Sequence, residues 1–579
     1  MPFGQISVET RRESKMSKKL VVLTCLLLLG SLLVACGPEA TPTPTKAPPP
    51  TEAKPTPIAP TSTPAPKVLT RPLVLCADLE AVSMDPHVNN YAYSAVVQYG
   101  PYESLLRWQK HPDGTWKWGP YLAKSWEISS DGLQYTLKLQ EGVKFSDGTP
   151  FNAEAVKWNL ERLAALKLQP STKVYKIAAL KVETAGDYTV KITLPEPYAP
   201  FLFGLIDAGF VSPTAAKAHQ KEGKYGQYGD YAQAWLSENA VGTGPYLLKE
   251  WRRGESATLV KNPDYWQGWK GNHLESIVVK LVKEIATRKT MLQKGDCDWT
   301  LRLSETDVPE LKANPNLVPW EVVGASALTI QIRPHGPFAD KRVRKAVALA
   351  FDYDAFANKI LLGQAKVANS PLTPADLGWD STLPPFKRDL EKAKKLMAEA
   401  GYPTGLPGEY EMWTIPVFQW FLRSQAELLR ANLADIGIKV KIVEYADAAP
   451  LLAGIFNPDV NKEPTFFPWT FRPRTGDPDT TLRDHFHSSG IPPKGVNGAF
   501  YNNPQVDKLM DQAVKESAWD KRAPAYRELQ RILIEDQPFL WLAYPSGYYF
   551  MSKEFKGYNL APLQDCYMSY YYEMWLEGK

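Results

Sequence analysis

LAKSWEISSDGLQYTLKLQEGVKFSDGTPFNAEAVKWNLER, residues 122–162, is the stretch whose pattern decides the fold. Trp126 and Ile128 alternate with polar residues, as on a half-buried strand. Ser-Ser-Asp-Gly at 129–132 supplies a hairpin turn, and Tyr135, Leu137 and Leu139 alternate again on the returning strand. Glu141-Gly142 and Ser146-Asp147-Gly148 are further turns, with glycine where a positive φ is expected. After Pro150, Asn152 is placed to cap a helix that carries Ala155, Val156, Leu160 and Leu163 on one face. Strand, turn, strand, turn, helix is an α/β surface belonging to a large globular body.

Upstream, an apolar strand at 68–75 leads through a loop to Tyr102-Glu103-Ser104-Leu105. Downstream come an alternating strand at 188–194, Val-Gly-Thr-Gly-Pro-Tyr at 241–246, Lys-Asn-Pro-Asp-Tyr-Trp at 261–266, Arg288 and Gly-Asp-Cys-Asp at 295–298. In wording and spacing this set resembles the peptide/nickel family (family 5) of extracytoplasmic solute-binding proteins, the receptors that feed ABC importers. The resemblance runs from about residue 68 to the C-terminus. It implies an α/β, two-lobed periplasmic-binding-protein-like fold, type II and cluster C-like, with an extra α/β subdomain in the first lobe. On that plan residues 68–115, 240–325 and 541–579 form the first lobe, 116–239 the inserted subdomain and 326–540 the second lobe. The implied function is to bind a small solute by lobe closure and pass it to an ABC permease with its ATPase subunits, without catalysis. A surface hydrolase and a sensory or adhesion lipoprotein are the alternatives on the same scaffold.

The bounds agree. At 579 residues the chain exceeds a single core and requires two or more domains. It is 44% hydrophobic and 22% charged, with aromatics at 12%, a surplus that serves a core or a ligand wall equally well. The formal charge of +4 is concentrated in residues 1–35, which carry a net +3. No basic stripe or nucleic-acid motif is present, so nucleic acid is excluded as a partner, and a monomer is expected. Gly242 and Gly244 are not a phosphate loop, because Pro245 and a strand follow instead of a helix.

The N-terminus reads as an address. Basic residues through Lys19 precede an apolar run at 20–34 that is short for a membrane span. The stretch before Met16 adds nothing to such a signal, which makes Met16 a candidate start. Leu33-Val34-Ala35-Cys36-Gly37 resembles the lipobox of bacterial lipoproteins, implying cleavage after residue 35 and a lipid on Cys36. The expected location is extracytoplasmic, anchored to the bacterial cell membrane by that lipid. Residues 36–67 then form a Thr/Pro-rich linker, a semi-rigid tether reaching up to about 90 Å. Beyond Cys25 and Cys36, three cysteines remain: Cys76, Cys297 and Cys566. They allow at most one disulfide, and buried free thiols are the favoured reading.

In the second lobe Asp340, Asn503 and Asp520 are expected helix caps, a helix over 389–401 should stop at Gly401, and one around 420–436 should end at Gly437. Ile438, Val440 and Ile442 alternate with lysines in the strand that follows, and 539–550 is a last apolar strand.

No HExxH, GxSxG or Walker motif is present, so no catalytic residue is assigned and no cofactor is expected. Asp484-His485-Phe486-His487 is a possible metal cluster without a third ligand, and no metal is assigned to it. In the resembled family the loop after the first strand touches ligand, which makes Asn90, Tyr91 and Tyr93 candidates. Trp413, Phe418 and Trp420 from one second-lobe segment join Trp469, Arg472, Arg474 and Asp477 from another. Asp477 and Asp479 also suit the cap of the following helix. Peptide receptors of the family place an acidic residue upstream of Gly-Asp-Pro to hold the peptide ammonium; here Arg474 takes that place. A peptide, an oligosaccharide or an anionic solute fits the scaffold, and the arginines favour an anionic or neutral polyhydroxyl one.

Overall fold

The computed structural model describes residues 68–88, 92–110, 116–168, 171, 174, 176–206, 208–301, 303–416, 419–472, 476–558 and 570–578. The signal segment, Cys36, the tether and Cys566 lie outside the described residues. Strands Ala123–Ile128 and Gln134–Leu139 pair antiparallel, Trp126 opposite Leu137, and Gly132 turns the chain at φ 70°. Strands Thr189–Thr193 and Lys181–Thr184 extend the pair to a four-stranded sheet. Asn152 caps helix Ala153–Leu166 by accepting the Ala155 N–H at 3.0 Å. Ala155, Val156, Leu160 and Leu163 are buried in one core with Tyr135, Leu137, Val190 and Ile192 of the sheet. The periodicities of 2 and 3.6 in the quoted stretch are therefore the two sides of this core.

A twelve-stranded mixed sheet organises the rest. One half runs Lys439–Glu444, Glu409–Thr414, Phe466–Phe471 and Ala327–Ile332, and the other Trp299–Thr300, Leu73–Ala77, Ser276–Leu281, Ser256–Lys261 and Tyr246–Arg252. Strand Phe539–Ser552 lies between the halves and pairs with both: Thr329 lies opposite Trp541, and Trp299 opposite Met551. Leu317–Val323 and Ala365–Val367 attach to the same long strand. Helices Lys341–Ala350, Leu390–Glu399 and Leu422–Ala434 pack their apolar stripes on the first half, where Val343, Ala346, Val347 and Leu429 have no exposure.

Asp340, Asp389 and Asn503 cap their helices by side-chain hydrogen bonds. Asp520 does not: Ala518 is the N-cap of helix Trp519–Asp536 and Asp520 sits in its first turn, where a carboxylate still meets the positive end of the helix. The free-thiol reading is also corrected. Cys76 and Cys297 form a disulfide across 221 residues, with Cα atoms 6.1 Å apart and both side chains fully buried. Parallel pairing of Leu75 with Trp299 brings these distant segments side by side, a juxtaposition that cysteine counting alone cannot supply.

Candidate binding site

The motifs of the first half converge on one buried carboxylate. Glu103 accepts hydrogen bonds from the hydroxyls of Tyr121, Tyr265 (2.6 Å) and Thr243 (2.8 Å) and from the Trp266 indole N–H (3.0 Å). Burial pushes its carboxyl above the ordinary value, and the four donors oppose that rise. Gly242 and Gly244 let the backbone close on this cluster, since a Cβ at either would lie 2.1 and 2.3 Å from the carbonyl oxygens of Pro101 and Gly100. Tyr102-Glu103, Gly242-Thr243-Gly244 and Tyr265-Trp266 are thus one structural knot, and Tyr102, Glu103 and Tyr121 also border a small cavity of about 40 Å³ together with Arg107 and Tyr570.

The second half holds a cavity of about 290 Å³. Its wall comes from the sheet (Leu328, Pro468, Trp469, Thr470), from helix Leu422–Ala434 and from helix Ala448–Ile455. Most of the lining is apolar, with Ile415, Phe421, Leu451 and Ile455 prominent. Among the described residues Arg472 is the only charged side chain in the wall. Trp469 is held edge-on between Phe456 and His485, at ring-centroid distances of 5.9 and 5.8 Å, so its position is set by packing. An apolar wall with a few polar groups is the usual make-up of a small-molecule site.

The two second-lobe segments singled out by sequence meet here: Trp469 and Arg472 from one, Gln419 from the edge of the other. Trp413 goes elsewhere. It packs on Gly454, where a Cβ would lie 2.1 Å from its ring, lies 5.0 Å from Tyr445, and donates to Glu411 at 2.7 Å. It packs between strand Glu409–Thr414 and helix Ala448–Ile455 and is not among the residues lining the cavity. Trp420 is exposed beside Phe421 and outside the cavity lining. Asp477 is fully buried, caps helix Pro478–Phe486 and receives Arg522 at 2.7 and 2.8 Å. That pairing and the cap give Asp477 a structural role, and it is not among the residues lining the cavity. Asn90, Tyr91, Phe418 and Arg474 lie outside the described residues, and Tyr93 falls in helix Ala92–Gln98.

His485 packs against Phe471, and His487 pairs through Nδ1 with the Ser489 hydroxyl at 2.7 Å. Among the described residues no group of three or more His, Cys, Asp or Glu is arranged to hold a metal ion. Sequence reasoning missed Gln425, a glutamine in the cavity wall. Its signal was present: it interrupts the apolar stripe Leu422, Ala426, Leu429, Leu433 of one helix.

A two-lobed α/β body with a mostly apolar cavity has the build of a binding protein. Residues 117–493 match the bacterial extracellular solute-binding proteins, family 5 Middle, and the chain belongs to that family. It is 31% identical over 494 residues to heme-binding protein A of Haemophilus influenzae, covering 80% of this chain and 84% of that one. It is also 31% identical over 492 residues to the glutathione-binding protein GsiB of Pectobacterium atrosepticum, covering 83% and 90%. The solved structure of HbpA2 from Haemophilus parasuis superposes with a TM-score of 0.76 at 27% identity, over 88% of this chain and all of that one. The protein is an extracytoplasmic solute-binding component of an ABC importer and not an enzyme.

Proposed function

We propose that this receptor carries an anionic or neutral polyhydroxyl solute, seated against Trp469 and Arg472, and is held at the membrane by lipid on Cys36. The observation that carries the reading is the cavity wall, in which Arg472 is the one charge among the described residues and no carboxylate is present to meet an ammonium. An enclosed ammonium without a counter-ion is costly, whereas arginine matches carboxylates in bidentate fashion. Arg474, in place of an acidic residue before Gly476-Asp477-Pro478, adds to the same sign. The solute closes the two lobes on itself, and the closed form docks on the permease.

Titration calorimetry with tripeptides, their N-acetylated forms and sugar acids tests the charge. Sugar acids are expected to bind and free-amine peptides not; tight peptide binding that vanishes on acetylation would overturn the reading. For the anchor, Cys36→Ser is expected to move the protein from the membrane fraction to the soluble one, because a thioether-linked diacyl group and an amine-linked chain on that cysteine supply the attachment. A variant that still sediments with membranes would contradict it.

A further inference from the structure

Away from the long strand Phe539–Ser552, side chains of the two halves meet at two places. Tyr198 stands between strand Thr189–Thr193 of the four-stranded sheet and the 3₁₀ turn Ala199–Leu205. Its carbonyl accepts the Tyr135 hydroxyl at 3.2 Å, which fixes its base to that sheet. The same unit is tied to the half holding strand Tyr246–Arg252, where the Ser146 N–H donates to the Gly242 carbonyl at 2.8 Å. The Tyr198 phenol, however, reaches across to Asp477, Asp479, Arg483 and Tyr526 of the other half. Beside it the Ala199 N–H donates to the Val514 carbonyl at 2.7 Å. The second place is Glu305, which follows strand Trp299–Thr300. Its carboxylate accepts from Trp420, and its backbone carbonyl accepts the Gln364 side-chain amide at 2.7 Å.

Both contacts adjoin the large cavity. Trp420 stands between Gln419 and Phe421, which line it, and Asp477 opens the helix whose His485 packs on Trp469, another lining residue. Neither contact strands a charge when it parts. Asp479 keeps Arg483 at 2.9 Å, and Asp477 keeps Arg522 at 2.7 Å, within their own half. Trp420 is 44% exposed and Glu305 is in contact with solvent, so water takes the place of either partner. An ion pair buried across the gap would leave uncompensated charge on opening, whereas a phenol and an indole each join an apolar ring to one polar group. These are contacts suited to repeated making and breaking.

We infer that Tyr198 and the Glu305–Trp420 pair are latches that hold the two halves partly closed in the absence of solute. They are positioning residues: they touch no solute and act by bringing the two halves together beside the cavity. Whatever a solute contributes to closure is added to theirs. The inference goes beyond the charge of the solute and holds for any solute the cavity takes.

The test is small-angle scattering on the full-length protein, freed of solute by dialysis against sub-denaturing urea and returned to buffer. The closed-to-open ratio is read from the radius of gyration, and loss of one such hydrogen bond should lower it about fivefold. Trp420→Phe keeps a ring and removes the N–H donor, and Tyr198→Ala removes the phenol. Each should expand the solute-free protein, and the double variant should expand it further. Glu305→Gln keeps a carbonyl acceptor for the indole and should stay as compact as the wild type. Trp420→Phe changes an exposed side chain, so its Tm should stay near that of the wild type while its radius of gyration rises, a split that a merely structural role would not produce. If Tyr198→Ala fails to fold, Trp420→Phe against Glu305→Gln still decides. Equal radii of gyration for the wild type and Trp420→Phe, or an expansion in Glu305→Gln as large as in Trp420→Phe, overturns the inference.

Discussion

Arg162 and Asp85 have no solvent exposure, and each is tolerable only because of the other. Arg162 donates to both Asp85 oxygens and to the Tyr231 carbonyl at 3.2 Å. Burial works against ionising Asp85, but the guanidinium beside it wins and holds the carboxyl below its ordinary value. Its stabilisation is present above the unfolded pKa and is lost as pH falls through the lower folded one. Asp85→Ala strands a buried cation and is expected to cost about 3–5 kcal/mol, measured as a large drop in Tm; a drop typical of a surface change would contradict the pairing. Asp376 runs the other way. Burial pushes it up to about 6, against donors from Thr373 and Thr481. Its neutral form suits the fold, so its contribution is complete below its unfolded value and is lost as pH rises through about 6. Asp376→Asn should therefore gain on the wild type between about pH 4 and pH 7, by up to about 3 kcal/mol. A Tm difference that stays flat across that range would count against the shift.

Among the elements, those legible in the sequence are the ones whose cause is local. The hairpin of 122–139, the cap at Asn152 and the stripe of helix Lys341–Ala350 follow from periodicity and a single side-chain hydrogen bond. Of the residues named from sequence as ligand contacts, Trp469 and Arg472 lie on the cavity wall. What escaped is non-local: the meeting of Cys76 with Cys297, of Glu103 with Tyr265, and of Asp477 with Arg522 spans between 45 and 221 residues. Trp413 escaped for a related reason, since only the position of Gly454 shows that its ring is packing. The stop after helix Leu422–Ala434 combines both kinds of cause. Gly437 has φ 73°, a local requirement, and touches Gly405, itself at φ 107°, a tertiary one. A Cβ on Gly437 would lie 2.6 Å from the Gly405 Cα. Gly437→Ala is expected to destabilise by more than the ~1 kcal/mol of a simple left-handed site, because backbone cannot yield as a side chain does. Thermal unfolding that shifts by a degree or less would show that the loop relaxes freely.

At the scale of the molecule, strand Phe539–Ser552 is the shared beam. Leu317–Val323 pairs with its far end and Ala327–Ile332 with its near end, and the change falls between Ser546 and Ala543, beside Gly324 at φ 75°. Elsewhere the halves meet where Tyr198 lies buried beside Asp479, Asp477 and Arg483, where Trp420 hydrogen-bonds Glu305, and through backbone contacts. The Ala199 N–H reaches the Val514 carbonyl at 2.7 Å, and the Gln364 amide reaches the Glu305 carbonyl at 2.7 Å. Such hydrogen bonds are worth about 1 kcal/mol each. A solute touching both halves adds to these contacts, and the expected motion is a hinge at residues 323–327 and 543–546. Small-angle scattering should show the radius of gyration falling when the natural solute, recovered from the purified protein, is added in excess. The Cys76–Cys297 disulfide lies wholly on one side of that hinge. Reducing it should lower Tm, by the equivalent of about 2–4 kcal/mol, because it closes a long loop in the unfolded chain. It should leave the solute-driven compaction intact. Loss of compaction on reduction, with the protein still folded by circular dichroism, would place the bond in the moving part and rule out a hinge at the shared strand.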